Sequence, residues 1–208
     1  MMRNKWRLLF LTVLLLPWYH ALPQHSDELT IEWIYSQESR KVTALPAITW
    51  LNDGAMIIYD SSKPDSERTF EKLNPTTGKR VSILNRTKAL ESAREVLGEK
   101  NALRSISMPL AFDARGENAV YLLNGDVFIL NLKTALFSQV TNTDAEEKCI
   151  NFAPDGKKLA YVRDNDLYVY DLQYGIETRL TTDGSDAILN GTLSWVYWEE
   201  VFGRQDIG

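Results

Sequence analysis

Short runs of β-branched and aromatic residues, separated by turns of Asp, Asn and Gly, recur along this chain in a fixed order. The segment "FDARGENAVYLLNGDVFILNLKTALFSQVT", starting at Phe112, slides by 40 residues without a gap onto "FAPDGKKLAYVRDNDLYVYDLQYGIETRLT", starting at Phe152. Phe112/Phe152, Gly116/Gly156, Tyr121/Tyr161, Asp126/Asp166, Leu132/Leu172 and Thr141/Thr181 are identical. A looser copy begins 62 residues before Phe112, in "WLNDGAMIIYD", with Trp50, Gly54 and Tyr59 at the matching places. Each copy predicts an aromatic, a Gly-containing turn and a strand (Lys158 to Val162 in the last copy). A tight turn at "RDND", a second strand (Leu167 to Leu172) and a third strand ending at Leu180-Thr181 complete it.

A period of about 40 residues with roughly four short strands is the signature of a β-propeller blade. The alternative, an all-β sandwich whose turns happen to recur, is disfavoured by the gapless overlap. The expected fold is all-β, an incomplete β-propeller of about three blades. Rings close with about four to eight blades, so the chain is expected to be incomplete, with a sheet face left exposed at its C-terminal end. The 62-residue spacing exceeds one blade, and its surplus, "RTKALESAREVLGEKNAL" over residues 86–103, predicts a short inserted helix with Leu90, Ala93, Val96 and Leu97 on its apolar face. Its charged face is expected in solvent and receives no function.

Composition narrows the chemistry. Arg3, Lys5 and Arg7 precede the apolar run "LLFLTVLLL", and Ala21 supplies a small residue for cleavage, so residues 1–21 read as a secretory signal peptide. A nine-residue run covers roughly half of a ~30 Å hydrocarbon core, which leaves an uncut signal-anchor as the weaker alternative. The expected location is secreted or periplasmic. Without the leader the formal charge is −8, from 20 Lys and Arg against 28 Asp and Glu, which argues against nucleic acid as a partner. Cys149, in the strand-like "KCINF", is the only cysteine, so no internal disulfide is available. His20 and His25 are the only histidines, so the folded body cannot assemble a Ser-His-Asp triad or a His-based zinc site. No G-x-S-x-G elbow or phosphate loop occurs, no cofactor is expected, and the acidic "TDAEEK" around Asp144 reads as a solvated turn. Asn85 and Asn190 begin glycosylation sequons, to which no role is assigned.

Were the 40-residue spacing to continue, a new aromatic and Gly turn would begin near residue 192. Instead the chain reads "ILNGTLSWVYWEEVFGRQDIG". Residues 190–204 are thus an insertion into the repeat, and such insertions often carry binding function. Adjacent carboxylates Glu199 and Glu200 stand among Trp195, Tyr197, Trp198 and Phe202, which are expected to pack the segment and lower its dielectric. Two long side chains on neighbouring residues can converge on one ammonium group near a helix end. The bland reading of the same residues is an amphipathic helix with aromatics toward the blades and glutamates toward water.

"LNGTLSWVYWEEVFGR" resembles the segment N-G-x-x-D-W-V-Y-x-E-E-V-F of the dipeptidyl peptidase IV family, within the prolyl oligopeptidase superfamily of serine peptidases. The resemblance extends over "FAPDGKKLAYVRDNDLYVYDL" and "RLTTDG", and back to "LTIEWIYS" after the leader. Ser194 stands where the family usually has Asp, and Trp198 fills the variable place before the pair. The resemblance implies an exopeptidase built from an eight-bladed propeller, here residues 22–208 in part, and a C-terminal α/β-hydrolase domain expected to lie beyond Gly208. It implies that Glu199 and Glu200 hold the free amino terminus of a peptide substrate, that cleavage follows the second residue, usually Pro or Ala, and that this portion gates access. A propeller arginine near the substrate is also implied, matched here only by repeat position to Arg115 or Arg163. Association of the intact protein as a homodimer is a further expectation. On this reading the chain alone should not hydrolyse peptides. The competing class is a non-catalytic, exported, TolB-like propeller acting as a binding scaffold.

Overall fold

The structure is a computed structural model of the chain and describes residues 30–43 and 45–201. The signal-peptide expectation, at residues 1–21, lies outside them. Among the described residues no helix is long and apolar enough to cross a membrane. They fall into two compact units, one ending at Thr43 and one beginning at Ala44. In the first, helices α1 (Ile31–Ile34) and α2 (Gln37–Thr43) follow one another. Thr30 caps α1, its hydroxyl accepting the Trp33 N–H at 3.1 Å, and the Ser39 hydroxyl donates to the Ile34 carbonyl at 2.7 Å.

The second unit holds three four-stranded antiparallel sheets, each strand hydrogen-bonded to the one before it. The first sheet comprises β1 (Ala47–Trp50), β2 (Met56–Tyr59), β3 (Phe70–Leu73) and β4 (Arg80–Ser82). The second comprises β5 (Ala111–Phe112), β6 (Asn118–Leu123), β7 (Asp126–Asn131) and β8 (Leu136–Gln139). The third comprises β9 (Lys148–Phe152), β10 (Lys158–Arg163), β11 (Asp166–Asp171) and β12 (Ile176–Arg179). This is a partial β-propeller. The recurring aromatics Phe112 and Phe152 end the first strand of their sheets, so each structural repeat begins one strand before the sequence copies do.

Side chains on successive strand residues point to opposite faces, and the middle sheet uses both. Phe112, Ala119, Tyr121, Phe128 and Leu130 pack on Leu51, Ile57, Tyr59 and Phe70 of the first sheet. Val120, Val127 and Ile129 pack on Leu159, Tyr161 and Tyr168 of the third. Phe70 is fully buried, its ring edge-on to Phe112 at 5.3 Å between centroids. Burying a side chain of this size stabilises by about 1.5–3 kcal/mol relative to leaving it in water. The outer faces are covered only in part, with Met56 and Ile58 buried on that of the first sheet and Val162 on that of the third. Ile48 and Trp50 of the first sheet are exposed, as are Ile176 and Leu180 at the third, in line with the exposed face expected there.

The looser sequence copy is corrected by one residue. The Leu51 N–H donates to the carbonyl of Ala55, whereas the equivalent Asp113 and Ala153 reach one residue further, to Asn118 and Lys158. The first turn is therefore one residue shorter, and beyond Gly54 the match slips. Ile58, not Tyr59, is the counterpart of Tyr121, and a slip of one residue in a strand reverses its face. Tyr59 accordingly turns toward the second sheet, where its hydroxyl donates to the buried Ile106 carbonyl at 3.1 Å.

The inserted helix is two helices, α3 (Arg86–Leu97) and α4 (Glu99–Ser105). Gly98, at φ 77°, adopts a left-handed backbone that ends α3, its N–H bonding the Arg94 carbonyl. Ala89, Leu90 and Ala93 are buried, while Val96 is exposed rather than in the core. The Ser92 hydroxyl accepts the Phe137 N–H at 2.9 Å, so α3 covers part of the outer edge strand β8.

Polar groups fasten the second and third sheets. Glu147, fully buried in their connection, accepts the hydroxyls of Thr141 and Thr143, each at 3.0 Å, and Arg163 of β10 at 3.3 Å. Arg163 also bonds Glu177 of β12 at 2.6 Å and lies 4.2 Å over the Tyr168 ring. Tyr161 donates its hydroxyl to Glu177. Burial pushes the Glu177 carboxyl upward, but its bonds to Arg163 and Tyr161 outweigh that and hold it below the ordinary value of 4.5.

Two expectations follow from this packing. Gly116 and Gly156 are equivalent and both left-handed, at φ 68° and 71°, but a Cβ on Gly116 would lie 2.8 Å from Ile57 Cδ1 and 2.9 Å from Leu51 Cδ1. On Gly156 the nearest atom would be Asp113 Cβ at 3.4 Å. Gly156→Ala should cost about 1–2 kcal/mol from backbone strain alone, and Gly116→Ala about 1–3 kcal/mol more from overpacking, read as a shift of the urea midpoint. Because the folded pKa of Glu177 is depressed, its contribution is complete above about pH 4.5 and is lost as pH falls through the folded value. The difference in melting temperature between wild type and Glu177→Gln should therefore narrow from pH 7 to pH 3; a constant difference would show that the Arg163 pairing carries no pH-dependent stability.

Candidate functional site

The residues leading to Glu199 and Glu200 are placed by a device present in both full repeats. In the second sheet Asp126, the first residue of β7, accepts the Thr143 N–H at 3.0 Å and shares the Thr141 hydroxyl hydrogen, at 3.3 Å, with Glu147, while Thr141 accepts the Val127 N–H at 2.8 Å. In the third, Asp166 accepts the Thr181 hydroxyl at 2.8 Å, and Thr181 accepts the Leu167 N–H at 2.9 Å. The Asp126/Asp166 and Thr141/Thr181 identities therefore mark a clasp that brings the chain leaving each sheet back over its central hairpin. Sequence comparison gave the signal, as a pair of polar identities within apolar strands, without giving the role.

Asp166, 1% exposed, does more than Asp126. Its carboxylate also accepts the Gly184 N–H at 2.9 Å and the Asn190 amide at 3.2 Å, and it pairs with Arg179. Desolvation works against its charge, but Thr181, Arg179 and Gly184 prevail and hold the carboxyl below the usual aspartate range. Asn190 gives its other amide hydrogen to Asp183 at 3.0 Å, and its N–H bonds the Asn165 carbonyl at 3.0 Å. Both amide hydrogens of this sequon asparagine are thereby engaged. Gly191, at φ 82°, sits so close to the sheet that a Cβ would lie 2.7 Å from Val162 Cγ2.

The counterpart of that Asn190 bond, one sheet earlier, is the Glu147 N–H on the Gly125 carbonyl at 3.3 Å. After Glu147 the chain enters β9 at once. After Asn190 no strand follows among the described residues, and the chain instead forms a π-helical turn, Tyr197–Val201. The insertion thus begins where the first strand of a further sheet would start. First strands β5 and β9 of successive sheets lie beside one another, so the departure point faces the side on which first strands gather. The longer i→i+5 turns of π-helices are rare and concentrate at functional sites.

Glu199 and Glu200 lie in that turn, Glu199 half-buried and Glu200 exposed. The flanking aromatics do not pack as expected: Trp195 is 67% and Tyr197 56% exposed. This arrangement also departs from a plain amphipathic helix, in which the aromatics would face the sheets. Phe202 and the Trp198 side chain lie outside the described residues. Of the two arginines matched by repeat position, Arg163 is held by Glu147 and Glu177, and Arg115 reaches the Asp155 carbonyl at 3.3 Å. Among the described residues no group of three or more His, Cys, Asp or Glu is placed to hold a metal ion.

Comparison with known proteins agrees with this organisation. Residues 115–207 match the family model described as the dipeptidyl peptidase IV N-terminal region, a span that includes the third sheet and both glutamates. A dipeptidyl peptidase 4 of Trichophyton rubrum is 36% identical over 77 residues, 36% of this chain and 10% of that protein. Dipeptidyl aminopeptidase B of Saccharomyces cerevisiae is 34% identical over 79 residues, 38% of this chain and 9% of its own length. The crystal structure of Porphyromonas gingivalis dipeptidyl peptidase 4 superposes with a TM-score of 0.59 at 21% identity, covering 78% of this chain and 24% of that one, which establishes a shared fold. The matched segments thus span about a tenth of the curated relatives. Over residues 115–207, therefore, the chain carries a segment like the N-terminal region of the dipeptidyl peptidase IV family, on a fold shared with a dipeptidyl peptidase 4.

Proposed function

We propose that the chain is the amino-terminal part of an exported serine exopeptidase that releases dipeptides ending in Pro or Ala from peptide amino termini, and that Glu199 and Glu200 hold the substrate's free amine. The observation that carries this reading is that the family match runs through the glutamate pair, and that the pair sits on an insertion leaving the third sheet where the next first strand would begin. The chemistry suits the role. A peptide amino terminus has a pKa near 8 and offers three donors, and two carboxylates present only acceptors. A single close pair at an effective dielectric of 20 is worth about 4 kcal/mol before desolvation, enough to select free over blocked amino termini. The nucleophile and its acid-base partners would come from an α/β-hydrolase domain joined to this region, and the propeller would gate access to it.

The test uses this region joined to its hydrolase domain, with Gly-Pro and acetyl-Gly-Pro chromogenic substrates. Wild type should cleave the free-amine substrate far faster. Glu199→Ala and Glu200→Ala should each lower kcat/KM for Gly-Pro by about 2–4 kcal/mol, roughly 30- to 1000-fold, and leave the acetylated substrate unaffected. Equal rates for both substrates in all three proteins would remove the anchor.

A further inference from the structure

The clasp at Asp166 differs from its counterpart at Asp126 in one respect that bears on the glutamate pair. Both close a sheet by tying its fourth-strand exit to the central hairpin, through Thr181 and Thr141 respectively. Only Asp166 extends the tie to a residue at the end of the connection, since its Oδ1 also accepts from Asn190 and Gly184. The connection from Thr181 to Asn190 is three residues longer than that from Thr141 to Glu147, yet Asn190 and Glu147 are held on the same carbonyl of the hairpin turn. The surplus is absorbed in the loop around Gly184, where a Cβ would lie 2.6 Å from the Asn165 carbonyl oxygen, and where the Asn165 amide reaches the Ser185 carbonyl at 3.1 Å. Asp166 is almost wholly buried, and its part-buried bonds from Thr181, Gly184 and Asn190 are charge-assisted, a class stronger than bonds between neutral groups. The carboxylate therefore sets the point from which the chain departs, nine residues before Glu199.

We propose that Asp166 is a positioning residue for the Glu199–Glu200 segment, acting through Asn190 and Gly184 to fix where that segment leaves the third sheet. Asp166 touches no substrate in this account. Its meaning for catalysis rests on the amine-anchor reading, but the tether itself does not.

The experiment is amide hydrogen exchange on the full-length protein, comparing wild type with Asp166→Ala, Asp166→Asn, Asn190→Ala and Asp126→Asn, alongside Gly-Pro kinetics. Asn190→Ala removes the far end of the tether together with the bond to Asp183 and leaves the Thr181 and Arg179 contacts intact, so it guards against simple unfolding. In Asn190→Ala and Asp166→Ala, exchange over residues 184–201 should quicken on the order of tenfold while β6 and β7 keep wild-type protection. Asp166→Asn retains an oxygen acceptor for Gly184 and Asn190 and should restore most of the protection. KM for Gly-Pro should rise on the order of tenfold in Asn190→Ala with kcat nearly unchanged. Unchanged exchange over 184–201 in Asn190→Ala, or equal loosening of that span in Asp126→Asn, would overturn the proposal. If wild type shows no preference for the free amine, the anchor fails, and the exchange result still decides the tether by itself.

Discussion

A four-stranded sheet has two faces and too little breadth to cover either alone, and burial of both faces of the middle sheet is the constraint from which the rest of this structure follows. One face of that sheet takes Phe70 and Tyr59, the other takes Tyr161 and Tyr168, so each neighbour packs on it by its inner face. The Gly turns show how close the approach is. Gly116 lies over Leu51 of the sheet before it, and Gly156 over Asp113, whose carboxylate accepts three backbone N–H groups of its own turn. The turns therefore stack in series and set the sheet-to-sheet spacing, which a Cβ at Gly116 would force apart.

Apolar packing fixes the spacing without fixing the direction in which one sheet is laid on the next. That task falls to Glu147, Arg163 and Glu177. Removing two charges from water costs several kcal/mol per ion, and a buried pair seldom adds net stability over apolar residues of the same volume. Here one guanidinium serves two carboxylates and an aromatic face, and the buried glutamate takes two hydroxyls as well, so every group is satisfied. The consequence is register. Thr141 and Thr143 end one sheet, Arg163 belongs to the next, and both bond Glu147, so a rotation of one sheet on the other would strand a buried charge.

The strands, the hairpin turns and the four-stranded period were legible because alternation and Asp, Asn and Gly at the turns are local signals. Where the reading slipped, a non-local fact had decided the matter. The match of Tyr59 to Tyr121 counted residues, while the structure counts pairs across a turn one residue shorter. Leu90, Ala93 and Leu97 of the predicted apolar stripe pack on the core, whereas Val96 is exposed and Ala89, outside that stripe, is fully buried. Glu147 looked like one acid in a solvated turn, and only the fold brings Arg163, sixteen residues away, against it. The glutamate pair stood out through its neighbours' resemblance to a family, whereas Asp166 and Asn190, which hold the segment, were ordinary polar residues until the clasp was seen.

What the glutamate pair can do depends on what surrounds it. Coulomb attraction at 4 Å is worth about 1 kcal/mol in water and about 4 kcal/mol at an effective dielectric of 20, so most of any selectivity for a charged amine must come from exclusion of water rather than from the charges themselves. The three sheets supply the placement of the segment and little of that exclusion. Trp195, Tyr197 and Val201, next to the pair in the chain, are exposed, as are Ile176 and Leu180 at the third sheet. These are apolar groups of the kind that a further sheet laid on the third would bury, as Val120 and Ile129 bury Tyr161 one interface earlier. Cover of that kind would lower the dielectric around Glu199 and strengthen the proposed hold on an amine in the same step. Cover of the third sheet's outer face and competence of the proposed site are thus coupled through one physical quantity, the amount of water left at the carboxylates.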